Sequence, residues 1–255
     1  MKKLLMLCGA SAAMIYIGTV ILGGLLRPGY SHISMAISEL VADGAPNRSL
    51  LSSLFLLYNI LLTVFGIGLL LTVNSRSGRK LSGFVGSIAL VLVGIAGILM
   101  ELVFAQEPGG TARTFTGMMH FVMAGIASLG TMVAVLGIGL WFRNIHEMKP
   151  YVLYSIISVT IIFVSGGSSA AAMSNHSPFF GLIERITILT FTLWIFIIGL
   201  KMLQLEGETS EPSLVTLPGT ARQSRCAPAR SAGEDSSSSK HTEQINLRKA
   251  PSKGR

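Results

Sequence analysis

Residues 81–104 read LSGFVGSIALVLVGIAGILMELVF, a run whose single ionisable side chain is Glu101. A hydrocarbon core of about 30 Å takes roughly 20 helical residues to cross, so this stretch spans one. Its glycines do not count against a helix, because backbone in lipid must satisfy its own hydrogen bonds and small residues let helices approach closely. Gly83, Gly86, Gly94 and Gly97 lie on or near one stripe leading to Glu101. That stripe predicts a packed helix face, with the carboxylate pointing at a neighbour.

Working outward, five more apolar runs of spanning length appear at 4–26, 50–73, 115–141, 151–173 and 181–203. The predicted fold is all-α: a polytopic membrane protein built as a six-transmembrane-helix bundle over 1–203. Composition agrees. The 255 residues are 50% hydrophobic and only 13% charged, against about 25% charged in a soluble domain. The net charge of +8 comes from cations set singly or in small groups between apolar runs, which excludes a nucleic-acid face. Cys8 and Cys226 offer no disulfide framework and no CxxC pair. No phosphate-binding GxxxxGK[ST] occurs, and Gly66 and Gly68 sit inside an apolar run, so a nucleotide site is excluded too.

The first run is read as a retained helix rather than a signal peptide. It is long for an h-region and ends in Leu25-Leu26-Arg27 instead of a small-residue cleavage site. Lys and Arg in short loops set orientation. With the N-terminus inside, the cytoplasmic side holds Lys2, Lys3, Arg76, Arg79, Lys80, Arg143 and Lys149, against Arg27, Arg48 and Arg113 outside. The expected localisation is the cell membrane, multi-pass, with both termini cytoplasmic. Trp141, Phe142, Tyr151 and Tyr154 are then expected as an inner interfacial belt. Residues 204–255, rich in Ser, Pro, Arg and Glu, read as a disordered polar cytoplasmic tail.

In this orientation most of the polar residues outside the tail fall on the outer side. The first outer loop carries Tyr30, His32 and Ser38. Over 33–43, Ile33, Ile37, Leu40 and Val41 share one helical face, opposite His32, Glu39 and Asp43, which predicts a short amphipathic interfacial helix. Glu101, His120, Glu184 and Arg185 sit within about a turn or two of the outer helix ends, and ionisable residues at that depth usually face protein or water. Glu107 and His176 come from the other outer loops. Glu39, His120, Glu184 and Arg185 are the catalytic candidates. Tyr30, Ser38, Glu101, Glu107 and His176 are the binding candidates. Carboxylate with imidazole also suits a divalent metal, but no HExxH or HxxxH spacing is present, so no cofactor is evident.

Against the site stand plainer roles for the same residues. Glu184 with Arg185, and Glu101, would serve as a structural ion pair or hydrogen-bond clamp between helices, with Glu101 to Arg185 as one such pairing. His120 would cap a polar network, while His32 and His176 would simply be exposed. Asn59 would bridge two helices, or line a pocket. The small-residue segment 166–172 in the outer half of the fifth run reads first as close packing and second as the floor of a cavity.

The run Arg27-Pro-Gly-Tyr-Ser-His-Ile-Ser, then Ile37-Ser-Glu-Leu40 and Gly44-Ala-Pro46, resembles the opening signature of the prokaryotic membrane family known as domain of unknown function 998. The resemblance continues through Phe104-Ala-Gln-Glu-Pro-Gly-Gly110, Thr114 to His120 and Gly181-Leu-Ile-Glu-Arg185. It implies a six-helix membrane protein with Tyr30, Ser38, Glu39, His120, Glu184 and Arg185 on the outer side, and it implies no reaction. A Phe-Pro pair followed by Asp in the family pattern is replaced here by Phe104-Ala105 and Glu107.

Three functional readings follow. One is an accessory, sensor or interaction component with a mainly structural polar cluster and a membrane-protein partner. Another is a membrane-embedded enzyme acting on a lipid or isoprenoid-like substrate at the outer leaflet, with Glu39 and His120 as acid and base and Arg185 orienting an anionic group. It predicts an apolar cavity floored by 166–172. A small transporter is the third, weakened by the absence of midplane ionisable residues and of an internal repeat. All three place the lipid bilayer as a partner and none involves nucleic acid.

Overall fold

Six long helices make up nearly all of the computed structural model, which describes residues 2–76 and 80–208. They are α1 (Lys2–Leu26), α2 (Arg48–Arg76), α3 (Leu81–Leu102), α4 (Phe115–Trp141), α5 (Pro150–Ser174) and α6 (Phe180–Glu208). Among the described residues there is no strand. Each helix is long and apolar enough to cross a membrane, and the chain is an all-α polytopic membrane protein. Its lipid-facing surface carries side chains such as Leu92, Leu129 and Phe163, each more than half exposed, which an aqueous protein would bury. Helix α6 runs past residue 203 to Glu208 because Leu205 and Glu206 are buried against the bundle. The remainder of the expected tail, and Arg79, lie outside the described residues.

Consecutive helices pack side by side and α6 returns to α1, closing a ring. Glycines set the close contacts. A Cβ on Gly86 would lie 2.6 Å from the backbone nitrogen of Ile138, and one on Gly83 would lie 2.7 Å from the Trp141 ring, so these two pack against α4, whereas Gly94 and Gly97 meet Thr63 and Asn59 of α2 and the stripe is divided between two neighbours. On the other side of the ring, Gly199 of α6 meets the backbone of α1 at Ala10.

The half of the bundle containing the start of α1 and the end of α4 is closed by large side chains. Trp141, Trp194, Phe65, Phe142, Met6 and Leu69 are fully buried there, and the Trp194 indole donates to Ser155 Oγ at 2.9 Å. Trp141 and Phe142 are therefore core residues, not the interfacial belt expected from their position at a helix end. The notch at Gly83 admits the Trp141 ring and draws it inward.

The opposite, upper end carries the connections 27–47, 103–114 and 175–179. In the first of these the helical part is one 3-10 turn, Ser38–Val41, shorter than the segment expected over 33–43. Ile37, Leu40 and Val41 are buried, whereas Ile33 is 52% exposed. The Ile33 carbonyl accepts from the Leu182 amide at the start of α6, which takes it out of any helix with the turn that follows. A second tie, the Asp43 amide donating to the Gln106 carbonyl at 3.0 Å, joins this loop to the next one.

Candidate functional site

The start of α6 holds the first upper loop down with two adjacent side chains. Glu184 accepts the Ile37 backbone amide at 2.8 Å. Arg185 donates to the Met35 carbonyl at 2.9 Å, to the Gly181 carbonyl at 2.8 Å and to the Tyr30 hydroxyl at 2.5 Å. Tyr30 in turn donates to the Ala36 carbonyl at 2.7 Å. Burial pushes the Tyr30 hydroxyl up to about 12 in spite of the Arg185 charge beside it, so it stays a donor across ordinary pH. Neighbouring residues on a helix do not face each other, so Glu184 and Arg185 reach different parts of the loop and do not pair. Nor does Arg185 pair with Glu101, whose carboxylate accepts the Ser52 hydroxyl at 2.6 Å. Arg27 adds a further tie, donating to the Glu39 backbone carbonyl and standing 3.9 Å from the Glu39 carboxylate.

Below this clamped loop the upper half of the ring encloses a cavity of about 860 Å³. Glu39, Ser38, Glu101, His120, His176 and Glu184 all line it, together with Asn59 and Gln106. The lower wall is apolar and small-residue: Phe55, Val93, Ile162, Gly166, Ala170 and Phe191. Tyr16 and Tyr58, with rings 4.7 Å apart and edge-on, close it toward α1 and α2. Six of the nine candidate residues thus meet one space. Tyr30 and Arg185 stand behind its wall as the clamp, and Glu107 lies elsewhere.

Glu107 organises the loop before α4. Its carboxylate accepts the backbone amides of Arg113 and Thr114, both at 2.8 Å, and the hydroxyls of Thr111 and Thr114. These donors, the Thr114 hydroxyl first, hold its carboxyl down to about 2. Thr114 itself caps α4 by accepting from the Gly117 amide. With its acceptors occupied in this way, Glu107 borders only a separate shallow depression beside Asp43 and Arg113.

His120 is buried and its Nδ1 lies 2.8 Å from the Phe104 carbonyl. A carbonyl only accepts, so Nδ1 carries a proton toward it, and Nε2 is the ring nitrogen left free of that contact. Among the described residues no three His, Cys, Asp or Glu side chains come together as metal ligands. His32 is exposed, its ring over Gly24. Asn59 donates to Phe55 within its own helix at 2.9 Å, so it lines the cavity instead of bridging helices.

Gln106 is the site residue that sequence reading passes over. It is 2% exposed, lines the cavity, and its Oε1 has no hydrogen-bond partner. Its position in the motif between Phe104 and Gly110 was the available signal, but an uncharged amide in a loop carries no signature of burial.

The model for the family described as "Protein of unknown function (DUF998)" matches residues 10–201. No curated protein and no solved structure matches the chain. The matched region takes in most or all of each of the six helices and every residue of the clamp and the cavity, and the chain belongs to this family of unknown function.

Proposed function

We propose that this chain is a membrane sensor or accessory component whose upper cavity binds a lipid-like amphiphile from the outer leaflet. One observation carries the reading: a single cavity has polar groups at its loop end and an apolar, small-residue wall at depth. Its volume falls in the range of about 300–1,000 Å³ typical of ligand sites. The excess of Lys and Arg on the opposite loops supports an outward-facing cavity.

Entry is proposed between α4 and α5. Gly125 and Ser128 on α4 and Ala170 on α5 line the cavity and are exposed, and nothing lies within 4 Å of a Cβ built on Gly125. A photoactivatable diazirine fatty alcohol, added to protein in phosphatidylcholine nanodiscs, tests this. Labelling is expected on 120–131 and 162–173 and is expected to fall at least tenfold in Gly125→Trp. Labelling spread evenly over lipid-facing positions such as Leu92 and Phe163, and unchanged in Gly125→Trp, sinks the proposal.

The geometry of His120 supports an enzymatic second reading. With Nδ1 tied to Phe104, Nε2 is set to take a proton from the polar end of a bound amphiphile, and Glu39 lines the same cavity as a proton donor or acceptor. Mass profiling of nanodisc lipids incubated with wild type and with His120→Gln separates the readings. Turnover lost in the variant, with fatty-alcohol labelling retained, favours the enzyme; identical profiles favour a binding role alone.

A further inference from the structure

We infer that the polar end of the bound amphiphile is a primary ammonium, a cationic hydrogen-bond donor, and not a phosphate or carboxylate. The inference rests on the cavity being a ligand site and concerns only what that site selects.

Two independent features of the wall point the same way. Glu39, Glu101 and Glu184 all line the cavity, and among the described residues no Lys or Arg does. Arg185 is the nearest candidate for an anion, but both of its terminal nitrogens are held by Met35, Gly181 and Tyr30. An anionic head would therefore sit beside three carboxyl groups, with no guanidinium or ammonium among the described lining residues to offset them.

The second feature is Gln106. Its Oε1 is a buried acceptor without a donor, and such a group in a native fold calls for a partner. The amide orientation is fixed. Nε2 donates to the Glu107 carbonyl at 3.2 Å, and turning the amide over would set two carbonyl oxygens against each other. What the cavity lacks at this point is a donor. An ammonium brings three N–H groups and a charge, chemistry that suits both an unpaired amide oxygen and the carboxylates that line the same cavity. An alcohol brings a single donor and no charge. A carboxylate brings neither.

The test uses a matched eighteen-carbon series, oleylamine, oleyl alcohol and oleic acid, each competing with the diazirine fatty alcohol for the wild-type full chain in phosphatidylcholine nanodiscs. Oleylamine is expected to compete at a concentration at least tenfold below that of oleyl alcohol, with oleic acid weakest. Glu101→Gln, which keeps an acceptor for the Ser52 hydroxyl, is expected to reduce the amine's advantage over the alcohol at least threefold. Gln106→Leu is expected to weaken amine and alcohol alike. Oleylamine and oleic acid competing equally would overturn the ammonium inference and leave the cavity as an amphiphile site. An amine advantage undiminished in Glu101→Gln would also overturn it, since the preference would then arise at the bilayer surface. Absence of specific labelling in the wild type would remove the ligand site itself, and the inference with it.

Discussion

Replacing Arg185 by Met separates a clamp from a ligand contact. The guanidinium makes three hydrogen bonds, of which the one to Gly181 stays within α6 while those to Met35 and Tyr30 bind the first upper loop to the bundle. A hydrogen bond involving a charged group contributes about 1.5–3 kcal/mol, so the two tertiary bonds together are worth roughly 3–6 kcal/mol. Arg185 also buries an Nε with no partner, a cost of about 1–3 kcal/mol that the substitution relieves. The net loss is about 3 kcal/mol, or roughly 6–12 °C in melting temperature for a domain of this size. Thermal melts in detergent read the total, and hydrogen exchange locates it: amides over 35–41 should lose protection first, the Ile37 amide among them. Glu184→Gln retains an acceptor for that amide and should cost less than about 1 kcal/mol. If Arg185→Met melts like wild type with the loop still protected, yet fails to take up the fatty-alcohol probe, Arg185 contacts ligand and the clamp assignment is wrong.

Two further predictions concern packing and pH. Gly86→Leu drives a side chain into the Ile138 backbone, 2.6 Å from where its Cβ begins, and backbone cannot step aside; a loss of at least about 2 kcal/mol is expected. The control is Gly125→Leu, with nothing within 4 Å, which removes a helix glycine without a clash and should lose no stability and gain up to about 1 kcal/mol; equal losses in folded yield would show that α3 and α4 do not approach as described. Glu107, held down to about 2 in the folded chain, has a folded pKa below its unfolded value. The stability it supplies is therefore complete above pH 4.5 and lost as pH falls toward about 2. After correction for intrinsic rates, amide exchange over 111–117 should accelerate between pH 4.5 and pH 2.5 in wild type. In Glu107→Gln it should be fast throughout, and a pH-independent wild type would refute the assignment.

The spans were legible because membrane crossing is a matter of composition over some twenty residues, and the bilayer leaves the backbone no alternative to a helix. Shared depth and side predict that Glu39, Glu101, Glu107, His120, His176 and Glu184 meet; five of them line one space, and Glu107 does not, because the amides and hydroxyls of its own loop take its carboxylate. What pairs with what did not follow. Glu184-Arg185 reads equally as an ion pair or a hydrogen-bond clamp; the 100° step between consecutive helical residues makes it a clamp, and one that holds a loop about 150 positions earlier in the chain instead of a neighbouring helix. Trp141 at a helix end looks the same in sequence whether it faces headgroups or core, and only the space at Gly83 decides. The face formed by Ile33, Ile37, Leu40 and Val41 was half right: the last three turn inward, but the Ile33 carbonyl is taken by Leu182.

The lower half of the ring is filled by Trp141, Trp194, Phe65 and Phe142, while the upper halves of α4 and α5 bring Gly125, Gly166, Gly167, Ser169 and Ala170. The same helix spacing that is closed by indoles below is left open above. Filling that space should therefore gain stability and lose ligand, the trade expected where an open site is kept for use. Gly166→Leu tests it directly. Its Cβ would meet only ordinary contacts, Thr187 at 3.8 Å and Met132 at 3.9 Å, and the helix gains about 1 kcal/mol from losing a glycine. A side chain projecting into a cavity of about 860 Å³ adds van der Waals contacts, the interaction that holds helices together in lipid. A melting temperature raised by roughly 2–4 °C, with fatty-alcohol labelling of 162–173 reduced severalfold, is the expected result. A lowered melting temperature would mean that α4, α5 and α6 already close on Gly166. The cavity would then be too small for an acyl chain, and the case for an amphiphile would fail at its floor.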